Sequence, residues 1–220
     1  MRFQDFGFWG VLFISFLVAA CSGGSSDDPP NPTPGGQDEP DAVVYTGQAL
    51  LGPLAGADVD VFSLSNITGA PIYRTTTDAT ADINQAGRFS LPESILDDSE
   101  LYLVKISGGE DIDADDDGVL DDTPTPNQGA IHAVLTPEQI RREGFNVTLL
   151  TEALYWRVRY LLGAGYGKAA IVEQINQRAA RALQDDLDGD GDKDSDDAAR
   201  WHPRHHRAAL MQSETARRDL

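Results

Sequence analysis

A mainly β fold followed by a small helical part is predicted for this chain of 220 residues. Three observations point to it. Short runs of β-branched and aromatic residues, broken by Gly, Pro, Asn and Asp, fill residues 43–136. A helical repeat of apolar residues occupies 152–184. Two acid-rich segments, 110–124 and 186–197, interrupt those patterns.

The β part, residues 42–150, reads as a small β-sandwich. Period two is explicit in Ala57-Asp-Val59-Asp-Val61, where Ala57, Val59 and Val61 share a face and Asp58 and Asp60 point out. Residues 43–51, 71–77, 88–91, 101–107 and 129–136 supply further strands, each bounded by turn residues. With the strand at 57–63 they suffice for two packed sheets.

From residue 151 the period becomes helical, with Thr151 expected as N-cap of a helix carrying Leu154, Trp156, Val158, Leu161 and Leu162, stopped by Gly163 and Gly165. A second helix over 168–184 places Ile171, Val172, Ile175, Ala179, Ala182 and Leu183 on one stripe. It ends directly before Asp186, and a further helix is expected over 195–201. The helical subdomain is taken as 151–212, with a tail at 213–220.

The segment 186–197 places aspartate at positions 1, 3, 5, 7, 9 and 12 of a twelve-residue loop, as Asp186, Asp188, Asp190, Asp192, Asp194 and Asp197, with Gly191 at position 6. A hard cation such as Ca2+ takes about 6–8 oxygen ligands, so alternate side chains must converge and position 6 must turn sharply. Asp192 is expected to offer its carbonyl, and Asp196, at position 11, to point outward. The segment 113–121 repeats the first nine positions, with Asp113, Asp115, Asp117 and Asp121 as ligand candidates and Gly118 as the turn, but Pro124 stands at position 12.

Charge distribution agrees. Of the 36 acids, eight lie in 110–122 and eight in 185–197, so the formal net charge of -19 belongs mainly to these two loops. Carboxylates packed so closely repel one another unless a counter-ion neutralises them. The competing reading of each segment is a solvated acidic linker.

Several stretches carry resemblances. Gly52-Pro-Leu-Ala-Gly56-Ala57-Asp-Val59-Asp-Val61, Thr77-Asp78 and Gly87-Arg-Phe89-Ser-Leu91-Pro92 resemble the carboxypeptidase regulatory-like, or transthyretin-like, domains of bacterial surface proteins. Eight residues, 79–86, are inserted here between the Thr-Asp turn and Gly87. That resemblance implies an Ig/transthyretin-like sandwich and no activity. The helix-loop-helix around 186–197 resembles an EF-hand with aspartate at position 12, as dockerin calcium loops are written. Lys193 at position 8 departs from the aliphatic residue that joins paired hands, and the two loops lie far apart, which argues against a cohesin-binding dockerin. The Asp113 loop is similar to thrombospondin type 3 repeats.

At the N-terminus, Arg2 precedes an apolar stretch over 6–20 that ends in Leu-Val-Ala-Ala-Cys21, which resembles a bacterial lipoprotein signal peptide over 1–20. The resemblance implies cleavage and lipidation at Cys21, the sole cysteine, so no intramolecular disulfide forms. An ordinary cleaved signal or an uncleaved anchor is the alternative. Ser22 after the cysteine favours the outer membrane of a diderm envelope. Residues 21–41, rich in Gly, Pro, Ser and Asp, read as a disordered tether spanning about 25 Å on average.

No nucleophile motif, phosphate-cradling loop or zincin pattern is present, and no enzymatic activity is expected. His202 and His206 have the i, i+4 spacing of zinc ligands, but Pro203 interrupts them and a solvated basic surface is the plainer reading. His132 reads as a packing residue on a strand. The cationic C-terminal segment could fold back on the acidic loops or touch anionic lipid or polysaccharide, and the overall acidity argues against nucleic acid. The expected protein is a calcium-binding lipoprotein of the bacterial cell envelope, lipid-anchored in the membrane, with a structural, adhesion or scaffold role toward a surface glycan or envelope protein. The alternatives are a non-catalytic glycan-binding or accessory module for a secreted enzyme, and a divalent-cation sensor.

Overall fold

A computed structural model describes residues 42–142 and 144–206; the expected signal peptide, Cys21, the expected tether and the tail lie outside the described residues. The described residues form ten strands in three sheets and four α-helices. The expected combination of sheets and helices is therefore present, in a mixed architecture in which strands and helices take similar shares of the described residues. No helix among the described residues is long and apolar enough to cross a membrane.

The four-stranded sheet has the order β4-β3-β6-β9, built from Tyr73–Thr76, Asp58–Ser63, Tyr102–Ser107 and Ala130–Leu135, all antiparallel. Its strands alternate as the sequence does. Val59 and Val61, with Tyr102, Val104 and Ile106 and with Ile131, Ala133 and Leu135, enter one apolar cluster. The second sheet contributes Ala49, Phe89, Leu91, Phe145 and Val147 to the same cluster. That sheet has the order β10-β1-β5, from Phe145–Thr148, Val44–Leu50 and Arg88–Pro92. Within it β1 and β10 are parallel, a pairing that alternation alone does not foresee.

The opposite face of the four-stranded sheet is covered by helices. Leu101, Leu103 and Val134 pack with Tyr155, Val158 and Leu161 of α2 (Leu149–Gly163) and with Ile171 and Ile175 of α3 (Lys168–Ala182). His132 faces this layer, stacked on Tyr155 with ring centroids 4.1 Å apart and bonded through Nδ1 to Glu152 Oε2 at 2.7 Å. It is a packing residue, as expected, and also a polar link from sheet to helix. The short α1 (Pro137–Arg141) follows β9, and α4 (Ser195–Arg200) follows the second acidic loop.

The start of α2 corrects the expected N-cap. Thr148, not Thr151, caps it: the buried Thr148 hydroxyl accepts from the N–H groups of Leu150 at 3.2 Å and Thr151 at 3.3 Å. Thr151 Oγ1 returns the contact by accepting from Thr148 N at 2.9 Å. The helix thus begins directly from β10, and Thr151 is its third residue.

Thr148→Val keeps the shape but leaves these N–H groups without an acceptor in a buried place. It is expected to lower stability by about 1–2 kcal/mol in urea denaturation. An unchanged midpoint would place the cap elsewhere.

Candidate metal centres

The first acidic loop stands on a small sheet, β2-β7-β8, formed by Leu54–Ala55, Glu110–Asp111 and Thr125–Pro126. Directly beneath it lies Gly52, where any Cβ would overlap the Asp111 carboxylate and the Asp113 carbonyl. Glycine there lets the backbone N–H reach Asp111 Oδ2 at 2.9 Å. Burial raises the Asp111 carboxyl above its ordinary value.

Within the loop, Asp113 is fully buried and accepts from Asp117 N at 3.0 Å and Gly118 N at 3.2 Å. Asp115 Oδ1 accepts from Asp117 N at 3.2 Å, and Asp117 Oδ1 from Val119 N at 2.7 Å. The second loop repeats this ladder. Asp186 accepts from Gly189 N at 2.6 Å and Gly191 N at 2.9 Å, Asp188 from Asp190 N at 3.2 Å, and Asp190 from Asp192 N at 3.1 Å. In both, the first aspartate captures the N–H of the glycine at position 6, whose φ is 91° at Gly118 and 103° at Gly191. Only glycine adopts that conformation without strain.

The consequence is convergence. Carboxylate oxygens of Asp113, Asp115 and Asp117 lie within 4.8 Å of one another, and so do those of Asp186, Asp188 and Asp190. Two ligands on one Ca2+, each at about 2.3–2.6 Å, can be no more than about 5 Å apart. Each group offers hard oxygen donors and neither nitrogen nor sulfur, so each could hold a hard cation.

The other expected ligands are placed differently. Asp197 is buried, and its carboxylate accepts from the N–H groups of Leu187, Asp188 at 3.0 Å and Asp194 at 2.8 Å, closing the loop rather than joining the converging group. Asp194 is the N-cap of α4, accepting from Asp196 N at 2.6 Å. Asp192 is exposed. In the first loop Asp121 plays the closing part, accepting from Ala114 N at 2.9 Å.

Asp196 lies outside the converging group, as expected of position 11, but it is not free. It accepts from Gln139 Nε2 at 2.6 Å and Arg142 Nη1 at 2.6 Å, tying α4 to α1. Gln139 also donates to Ser195 Oγ at 2.9 Å. Lys193, at position 8, donates to the Leu183 carbonyl at 3.1 Å and so holds the end of α3.

Two arginines that loop spacing could not reveal act as internal counter-cations. Arg142 Nη1 reaches Asp188 Oδ2 at 2.7 Å as well as Asp196. The Arg204 guanidinium is bonded to the buried Asp113. Arg204 thus brings the described part of the cationic C-terminal segment, residues 200–206, back onto the first loop. The i, i+4 pair is not a zinc site in this arrangement: His206 Nδ1 accepts from His202 N at 3.0 Å, and His202 Nδ1 from Arg204 N at 3.1 Å.

Repulsion and burial act unevenly along the second loop. Backbone donors Gly191 and Gly189 hold Asp186 below the ordinary carboxylate value. Burial raises Asp188, the charge of Asp190 raises Asp192, and burial pushes Asp194 up to about 6. A carboxyl held above its unfolded value of 3.8 adds stability that is complete below 3.8 and is lost as pH rises through about 6. In metal-free solution, Asp194→Asn should therefore be more stable than the wild type at pH 7.5, with the advantage vanishing toward pH 4, by urea denaturation. A difference that does not change with pH would contradict the burial of Asp194.

The chain matches no protein-family model, no curated protein and no solved structure, so the chemistry of the two loops is what speaks to its function.

Proposed function

We propose that the chain is a calcium-binding lipoprotein of the bacterial cell envelope, tethered through Cys21, in which two aspartate loops take Ca2+ as a structural ion. One observation carries the reading: two loops far apart in sequence share the same ladder, and each converges three carboxylates within 4.8 Å. A merely acidic linker has no reason to repeat that geometry. The two sheets that share one core fit the layers of a transthyretin-like sandwich, and α3, the Asp186 loop and α4 fit an EF-hand-like unit. Held clear of the membrane by its tether, such a domain serves as a scaffold or adhesive module rather than a catalyst.

Calcium binding to the folded form alone stabilises by RT ln(1 + [Ca]/Kd), about 1.4 kcal/mol per site at about 1 mM calcium and a Kd of about 0.1 mM. Calorimetry of the chain should show two sites, with weaker response to Mg2+, whose octahedral demand is stricter. Asp113→Ala and Asp186→Ala should each remove one site. Arg204→Gln, which leaves Asp113 buried without its cation, should lose about 3 kcal/mol in chelator and recover about half of it in calcium. Absence of heat at about 5 mM calcium, or equal loss with and without it, would sink the proposal.

The anchoring part is tested separately. Cys21→Ala should abolish incorporation of labelled palmitate and release the protein from the membrane fraction. Unchanged label would remove the lipoprotein assignment and leave the calcium reading intact.

A further inference from the structure

We propose that the cleft between the β10-β1-β5 sheet and the turn after α4 binds a sugar-sized oxyanion, a carboxylate- or phosphate-bearing sugar, through Arg88, Arg200 and the imidazole N–H groups of His202 and His206. The cleft measures about 570 Å3 and is lined by these residues, His205 and neutral polar groups, with no acid among the described lining residues. That volume lies within the range of about 300–1,000 Å3 that suits small-molecule ligands.

The sheet prepares one wall. Arg88, Gln48 and Asn146 stand in register across β5, β1 and β10. Their chain neighbours Phe89, Ala49, Phe145 and Val147 enter the core, so the row occupies the face turned away from it. The turn supplies the other wall and is pinned in place. Asn146 Nδ2 donates to the carbonyls of Arg200 and Trp201, both at 3.2 Å, and the Trp201 indole N–H donates to the His206 carbonyl at 2.9 Å.

Donor chemistry follows from the histidine tautomers. Nδ1 of His202 and of His206 accepts a backbone N–H, as described above, so the neutral ring carries its proton on Nε2. Burial lowers both rings, His202 to about 4, which keeps them neutral at pH 7. A ring in that state offers a hydrogen-bond donor and no free lone pair for a metal. Each therefore favours an oxyanion.

The guanidinium groups complete the set. Arg74, Arg141, Arg142 and Arg204 all have carboxylate partners, whereas Arg88 and Arg200 have no side-chain hydrogen bond or ion pair among the described residues. Arg178 and Arg181 of α3 also have no carboxylate partner among the described residues, but Arg88 and Arg200 are the arginines of this cleft, whose described lining holds no acid, so an external anion matches them. The planar fork of arginine fits carboxylate and phosphate oxygens in pairs.

The test is calorimetry of the full chain at low salt with glucuronate, glucose 6-phosphate, inorganic phosphate and neutral glucose. Saturable binding of a sugar anion and none of glucose is expected, weakened about tenfold or more by Arg88→Gln and by Arg200→Gln. Preference for glucuronate identifies a carboxylate as the source of the oxyanion, and preference for glucose 6-phosphate a phosphoryl group. Neither substitution removes a side-chain hydrogen bond among the described residues, and unchanged near-UV circular dichroism verifies the fold. Inorganic phosphate binding as tightly as either sugar anion would overturn the sugar-sized occupant. No binding of any anion at about 10 mM, or wild-type affinity in both variants, would overturn the site.

Discussion

Asp113 has no access to solvent, and a carboxylate in that position must have its charge compensated by whatever surrounds it. Backbone N–H groups of Asp117 and Gly118 supply part, which requires the loop to fold tightly around its first aspartate. Arg204 supplies a full positive charge, which requires the segment after α4 to cross to the β part of the molecule. The same pin that satisfies Asp113 therefore fixes the turn that carries His202 and His206, and with it one wall of the basic cleft.

The second loop meets the same demand with other means. Asp186 turns inward onto Gly189 and Gly191, and Asp197 gathers three backbone N–H groups to close the ring. Arg142 then answers the charge of Asp188 and Asp196 together, while Gln139 joins the N-termini of α1 and α4. Carboxylate, backbone donor and arginine thus form a hydrogen-bonded scaffold in each loop. A divalent cation placed among the three converging carboxylates would take over the part that the arginine plays at Asp113 and Asp188. Exchange of an internal cation for an external one leaves the loops formed in either state, which suits a structural ion.

Strand positions were legible because period two is visible wherever one face is buried, as at Val59 and Val61 or at Tyr102, Val104 and Ile106. Helices α2 and α3 were legible for the corresponding reason at period 3.6. Both converging Asp groups could be read from spacing, since a glycine at position 6 permits the turn that brings the alternate aspartates before it together. What escaped was set by partners distant in sequence. Arg142 lies 46 residues from Asp188, and the parallel pairing of β10 with β1 joins Gly47 to Phe145 across most of the fold. Thr148 was overlooked as a cap because its third helical residue is threonine rather than the glutamate or glutamine that marks a capping box. The partners of Asp196 escaped because numbering within a loop says what faces the ion and nothing about what α1 places on the other side.

A calcium ion between the first three aspartates of each loop would be visible directly. Anomalous diffraction from crystals grown in calcium locates such an ion. One peak is expected in each loop, within about 2.6 Å of oxygens from Asp113, Asp115 and Asp117 and from Asp186, Asp188 and Asp190, with Arg204 withdrawn from Asp113. Two loops without a peak, with Arg142 still on Asp188 and Arg204 still on Asp113, would contradict that expectation.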